Sequence, residues 1–148
     1  MPAYINESAA LDIPIVCYFQ PVGEGAILVT PEGSRLTAIG QVFTLMKAHQ
    51  DGQVCQVGDN GDYSTAATLK DGVLTVTLVN SSYDTDREFT FNLKGKVLEA
   101  VLRHSDDVTP HSFFEESRLE VASRGKSLRA VLPPHSVALI RLALGKKK

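Results

Sequence analysis

The sequence has no tryptophan, two cysteines among 148 residues, and no excess of either charge: 15 Lys+Arg against 17 Asp+Glu give a formal net charge of −2. Each shortage excludes something. A near-neutral balance speaks against a nucleic-acid or anionic-membrane surface as the main partner. No apolar run reaches the ~18 residues of a membrane-spanning helix, and residues 1–12 lack a basic stretch followed by an apolar one. Cys17 and Cys55 are too few for a disulfide framework. Both sit among apolar neighbours, so the reading is of buried, inert thiols and a cytoplasmic setting. The length suits one ordinary domain and is too short for a complete (β/α)8 barrel, which needs about 200–250 residues.

What is there changes character near Asp51-Gly52. Ile13–Phe19 is a continuous apolar run, expected as a strand buried on both faces. Ala26–Thr30 is a second short run. Thr37 is placed to cap a helix with Ile39, Val42, Phe43 and Met46 at i, i+3, i+4 and i+7. Lys47 and His49 fall in its last turn, and Gly52 stands as the residue that closes it.

Beyond residue 52 the pattern is of strands. Val73–Val79 carries Leu74, Val76 and Leu78 on one face and Thr75 and Thr77 on the other, and Glu88–Leu93 repeats the alternation. Further strands are expected at Tyr63–Leu69, Val97–Arg103, Arg118–Ala122, Ser127–Leu132 and Val137–Leu144. Lys70-Asp71-Gly72 and Arg124-Gly125-Lys126 read as hairpin turns. Seven or eight short strands predict a mainly β protein, an antiparallel two-sheet β-sandwich over 53–148, preceded by one strand–helix unit over 1–52.

No catalytic constellation emerges. Asn6-Glu7 is expected in a loop. Glycoside hydrolysis needs two carboxyl groups about 5–9.5 Å apart, and nothing in the spacing pairs Glu24, Asp106, Asp107, Glu115 or Glu116 across a cleft. His49, His104, His111 and His135 lack metal-ligand spacing, so neither metal nor other cofactor is expected. Gly23-Glu24-Gly25 falls short of every phosphate motif and reads as a turn. Exposed aromatic planes could stack on sugar rings; the candidates are Tyr63, Tyr83 and the Phe113-Phe114 pair, with Tyr83 and Phe114 the chosen platform.

Several segments together resemble the α-L-arabinofuranosidases of glycoside hydrolase family 51. Thr37–Gly52 (TAIGQVFTLMKAHQDG) is similar to that family's last barrel helix, and Cys17–Thr30 (CYFQPVGEGAILVT) to its eighth barrel strand and following loop. Leu74–Asn80 (LTVTLVN), His111–Glu116 (HSFFEE) and Leu132–Leu142 (LPPHSVALIRL) resemble its C-terminal sandwich. The resemblance implies a remnant of the barrel over 1–52 and an accessory sandwich over 53–148. Both catalytic glutamates would lie on barrel strands outside this chain. Gln20 aligns with a glutamine that bonds the sugar. The implied partners are a catalytic barrel, or a second copy through the N-terminal apolar face, and arabinose-containing saccharides. Pro21, Gly23–Gly25 and Ala38 depart from the family pattern.

Overall fold

The computed structural model describes residues 5–8, 11, 13, 17–22, 25–57, 64–106, 109 and 112–145. Gly23, Glu24, Tyr63, Asp107 and His111, all named above, lie outside the described residues.

Among the described residues, eleven strands and an α-helix follow a short helical stretch at 5–8. They are β1 (Ile27–Thr30), β2 (Gly33–Leu36), α1 (Ala38–Met46), β3 (Gln53–Cys55), β4 (Thr65–Lys70), β5 (Val73–Asn80), β6 (Arg87–Phe91), β7 (Gly95–His104), β8 (Glu115–Arg118), β9 (Val121–Arg124), β10 (Ser127–Leu132) and β11 (Ser136–Leu144). A six-stranded antiparallel sheet runs in the order β3-β4-β5-β11-β7-β8, faced by a three-stranded sheet β6-β10-β9. β1 and β2 form a separate hairpin. The mainly β sandwich expected from the sequence is the architecture observed.

Alternation decides which face each residue serves. Leu74, Val76 and Leu78 of β5 and Ala138, Ile140 and Leu142 of β11 point into the sandwich, where they meet Phe89, Leu128, Ala130 and Leu132 of the small sheet. At the Asp71-Gly72 turn both residues have positive φ, 51° and 76°. That is the combination whose twist matches a right-handed two-residue hairpin.

The opposite face of the large sheet is also covered. Val42 and Leu45 of α1 pack on Val79, Val137 and Leu139, with Ile5, Met46 and Phe114 around them. Thr75 and Thr77 of the same face are buried too, so β5 is enclosed on both sides rather than wet on its threonine side. The molecule is therefore three layers: small sheet, large sheet and helix.

Several expectations need correction. Among the described residues of the Ile13–Phe19 run none lies in a strand, and both end residues are exposed. Among the described residues no strand pairs with it, and an unpaired segment leaves its backbone to water. For the same reason Cys17 is exposed, not buried; Cys55 is half-buried, and both are free thiols. Residues 5–8 are helical, not a loop, and Asn6 is buried there. In α1 the buried residues are Gly40, Val42 and Leu45, whereas Phe43 turns outward. A three-residue 3-10 turn, Lys47–His49, extends the helix. The left-handed residue after it is Asp51, φ 60°, rather than Gly52. Finally, Arg118–Ala122 is not one strand: β8 pairs with β7 in the large sheet and β9 with β10 in the small one, and Leu119-Glu120 carries the chain between the layers.

Candidate functional site

The first forty residues carry an apolar surface. Leu11, Ile13, Phe19, Val22, Val29, Leu36 and Phe43 are all exposed, Phe19 at 84%. Tyr18 joins them by a tilted ring contact with Phe43, centroids 5.8 Å apart. A patch of this kind marks an interaction surface more often than chance exposure of single residues does. Gln20 stands within this segment, exposed, with its backbone at φ 50°. It is fixed from below: the amide of Ile27 donates to Pro21 O at 2.7 Å, Val22 bridges Ile27 in parallel, and Gly25 lies so close to the Gln20 carbonyl that no Cβ would fit. The segment 17–22 and the root of the β1–β2 hairpin thus form one unit.

That unit is tied to the helix by Thr37. At the helix start Thr37 makes no capping bond with its side chain; its hydroxyl, buried, donates instead to Gly25 O at 2.7 Å, and its amide donates to Ala26 O at 3.0 Å. The helix in turn is tied to the sheet by polar contacts that the apolar pattern did not announce. The Gln41 side chain acts as a substitute peptide group: Oε1 accepts from the Phe114 amide at 2.7 Å, and Nε2 donates to Phe114 O at 3.0 Å. Arg103 Nη1 donates to Gln41 O at 2.6 Å while its Nη2 pairs with Glu116 at 2.9 Å. His49 is hydrogen-bonded through Nδ1 to Thr68 at 3.0 Å and through Nε2 to Thr77 at 2.6 Å. Burial holds its pKa below the ordinary 6.5, because a charged imidazole would be stripped of water there. Sequence reasoning missed Gln41 and Arg103; a polar residue beside an apolar stripe carries no local mark of what it will meet.

The two aromatics chosen as a sugar platform are not brought together. Phe114 is half-buried at the helix–sheet junction, among Val42, Leu45 and Val137. Tyr83 is 77% exposed in the loop after β5, and its ring meets His135 edge to face, centroids 4.9 Å apart. Phe113 lies under the Arg35 guanidinium, 3.8 Å from its centroid. One carboxylate of each doublet has a basic neighbour rather than a second carboxylate: Glu116 pairs with Arg103, and Asp106 Oδ1 lies 3.3 Å from His104 Nε2. Among the described residues no group of His, Cys, Asp and Glu could hold a metal ion, and no helix is long and apolar enough to cross a membrane.

No protein-family model and no curated protein matches the chain. Solved structures do. The family 51 arabinofuranosidase from Xanthomonas axonopodis pv. citri superposes with a TM-score of 0.62 at 20% identity, over 80% of this chain and 28% of that one. AbfB, a family 51 α-L-arabinofuranosidase from Bifidobacterium longum, gives 0.55 at 16% identity, again over 80% and 28%. The chain shares its fold with part of these family 51 arabinofuranosidases. The catalytic domain of the family 30 xylanase C from Talaromyces cellulolyticus gives 0.59 at 11% identity, over 80% of this chain and 27% of that chain. The chain therefore spans little more than a quarter of each of these glycoside hydrolases.

Proposed function

We propose that this chain is the non-catalytic C-terminal region of an arabinofuranosidase-like glycoside hydrolase, whose role is to pack against and brace a catalytic (β/α)8 barrel. In this reading residues 1–52 are the barrel's last strand–helix unit and 53–148 the accessory sandwich, in a cytoplasmic enzyme. Gln20 would reach the arabinose-containing substrate from the barrel rim.

One observation carries the reading: a fold matching about 28% of two arabinofuranosidases comes with most of its exposed large apolar side chains in the segment that would face the rest of the barrel. The exposed Ile13, Phe19, Val22 and Phe43 are what a barrel strand and helix leave bare when their neighbours are elsewhere. The anchoring of α1 through Gln41, Arg103 and His49 supports the bracing role, since it couples the helix to the sandwich rigidly. A second copy of the chain, seated on the same apolar face, is the alternative partner.

Hydrolysis tests the proposal. The purified chain is expected to release no phenol from an aryl α-L-arabinofuranoside. Turnover that follows the chain through purification, and is abolished by a carboxylate substitution within it, overturns the non-catalytic assignment.

A further inference from the structure

We infer that Tyr83 and His135 form a saccharide-binding platform on the sandwich, built from residues other than those assigned above to the barrel contact. The inference goes beyond the bracing role and does not depend on it. Three observations support it.

Among the described residues Tyr83 is the most exposed large hydrophobic beyond the N-terminal patch, yet its ring is not loose: the edge-to-face contact with His135 fixes its orientation. Underneath, Asn80, 2% exposed, locks the two loops that carry the rings. Its Nδ2 donates to Thr85 O at 2.8 Å, and to Leu132 O and Pro133 O, both at 3.0 Å; its Oδ1 accepts from the Ser82 amide at 3.1 Å. The His135 amide closes the arrangement by donating to Ser82 O at 3.3 Å. A ligand meeting this surface would find it already ordered, and so would bind without the entropic loss of arranging a mobile loop.

His135 itself sits at φ 49°, a left-handed conformation in a tight turn that glycine or asparagine would occupy with less strain. The fold needs the turn; it does not need an imidazole there. A side chain in a left-handed turn that glycine would enter with less strain, and whose ring braces an exposed aromatic, points to a role in binding.

Around the ring the loop offers Ser81 and Asp84, both exposed. Asp84 Oδ1 accepts from the Thr85 hydroxyl at 2.9 Å, which leaves its carboxylate with further acceptor capacity. An exposed aromatic ring in a loop that also presents a hydroxyl and a carboxylate suits a sugar ring, apolar on its C–H face and polar at its rim. The fold neighbours named as arabinofuranosidases and a xylanase direct the choice of probe to arabinoxylan.

Affinity electrophoresis of the full chain in gels with and without soluble arabinoxylan tests the inference. Wild-type protein is expected to be retarded, Tyr83→Phe to be retarded equally, and Tyr83→Ala to bind at least tenfold more weakly. His135→Gly is the decisive variant. It relieves the backbone and removes the brace, so its urea midpoint should hold or rise while retardation falls. Wild-type protein that is not retarded overturns the inference, as does retardation unchanged in Tyr83→Ala. The barrel-packing reading is judged on other residues and by turnover, so each can fail alone.

Discussion

The imidazole of His49 spans two threonines of different strands, Thr68 on β4 and Thr77 on β5, and so fastens the end of the helix to the centre of the large sheet. Both partners are uncharged hydroxyls, and the burial that lowers its pKa is not offset by a carboxylate. Folding therefore favours the neutral ring. Above the ordinary value of 6.5 the imidazole is neutral folded or unfolded, and its contribution is fully present. As pH falls below that value the unfolded chain takes up the proton first, and stability declines until the folded-state pKa is passed. Urea midpoints measured from pH 7.5 down to pH 5 should fall through this window, and His49→Gln should flatten the slope.

Thr37→Val removes a buried hydroxyl that donates to Gly25 O while keeping the side chain's shape. Leaving that carbonyl without its donor should lower stability by about 1–3 kcal/mol. The effect is local, because this bond joins the 17–26 segment to the helix. Hydrogen exchange at Thr37 and Ile27 should accelerate far more than exchange in β5 or β11.

Gly40→Ala pits two terms against each other. Alanine gains about 1 kcal/mol of helix propensity over glycine. The new Cβ, however, would collide with the backbone carbonyl of Ala26 and crowd the Leu36 side chain. Backbone does not yield as a flexible side chain would, so the variant should be less stable than wild type, read as a lowered Tm.

Phe19→Ser and Phe43→Ser act on the exposed apolar face. Single exposed residues change stability by no more than about 0.5 kcal/mol, so the urea midpoint should scarcely move. Sedimentation velocity at high protein concentration should show less self-association in the double variant than in wild type. Equal association in both would remove this face as the contact between copies.

The sandwich was legible because each of its strands carries its own instructions: Leu74, Val76 and Leu78 alternate, Asp71-Gly72 turns the chain back, and Ser127–Leu132 has the bounds the pattern indicates. What was not legible depended on partners distant in sequence. The Ile13–Phe19 run has a strand's composition but, among the described residues, no strand paired with it. Thr75 and Thr77 read as a wet face, yet both are buried in the fold. Phe43 fits the apolar stripe by spacing, yet Leu45, one position off it, is the residue that the sheet covers. At the candidate platform Tyr83 could be named from composition, but its partner could not. His135 is 52 residues away, and it takes the β5–β11 pairing, the Asn80 bonds to Leu132 and Pro133 and the His135–Ser82 bond to bring the two loops together.

The crossover at Leu119-Glu120 has a mechanical consequence. One continuous stretch, 115–124, begins hydrogen-bonded to the large sheet and ends hydrogen-bonded to the small one. The two layers are thus stitched by the main chain itself, within two residues and without a crosslink. A cut at Glu120 would remove this stitch alone, because the β5–β6, β6–β7 and β10–β11 connections also carry the chain from one sheet to the other.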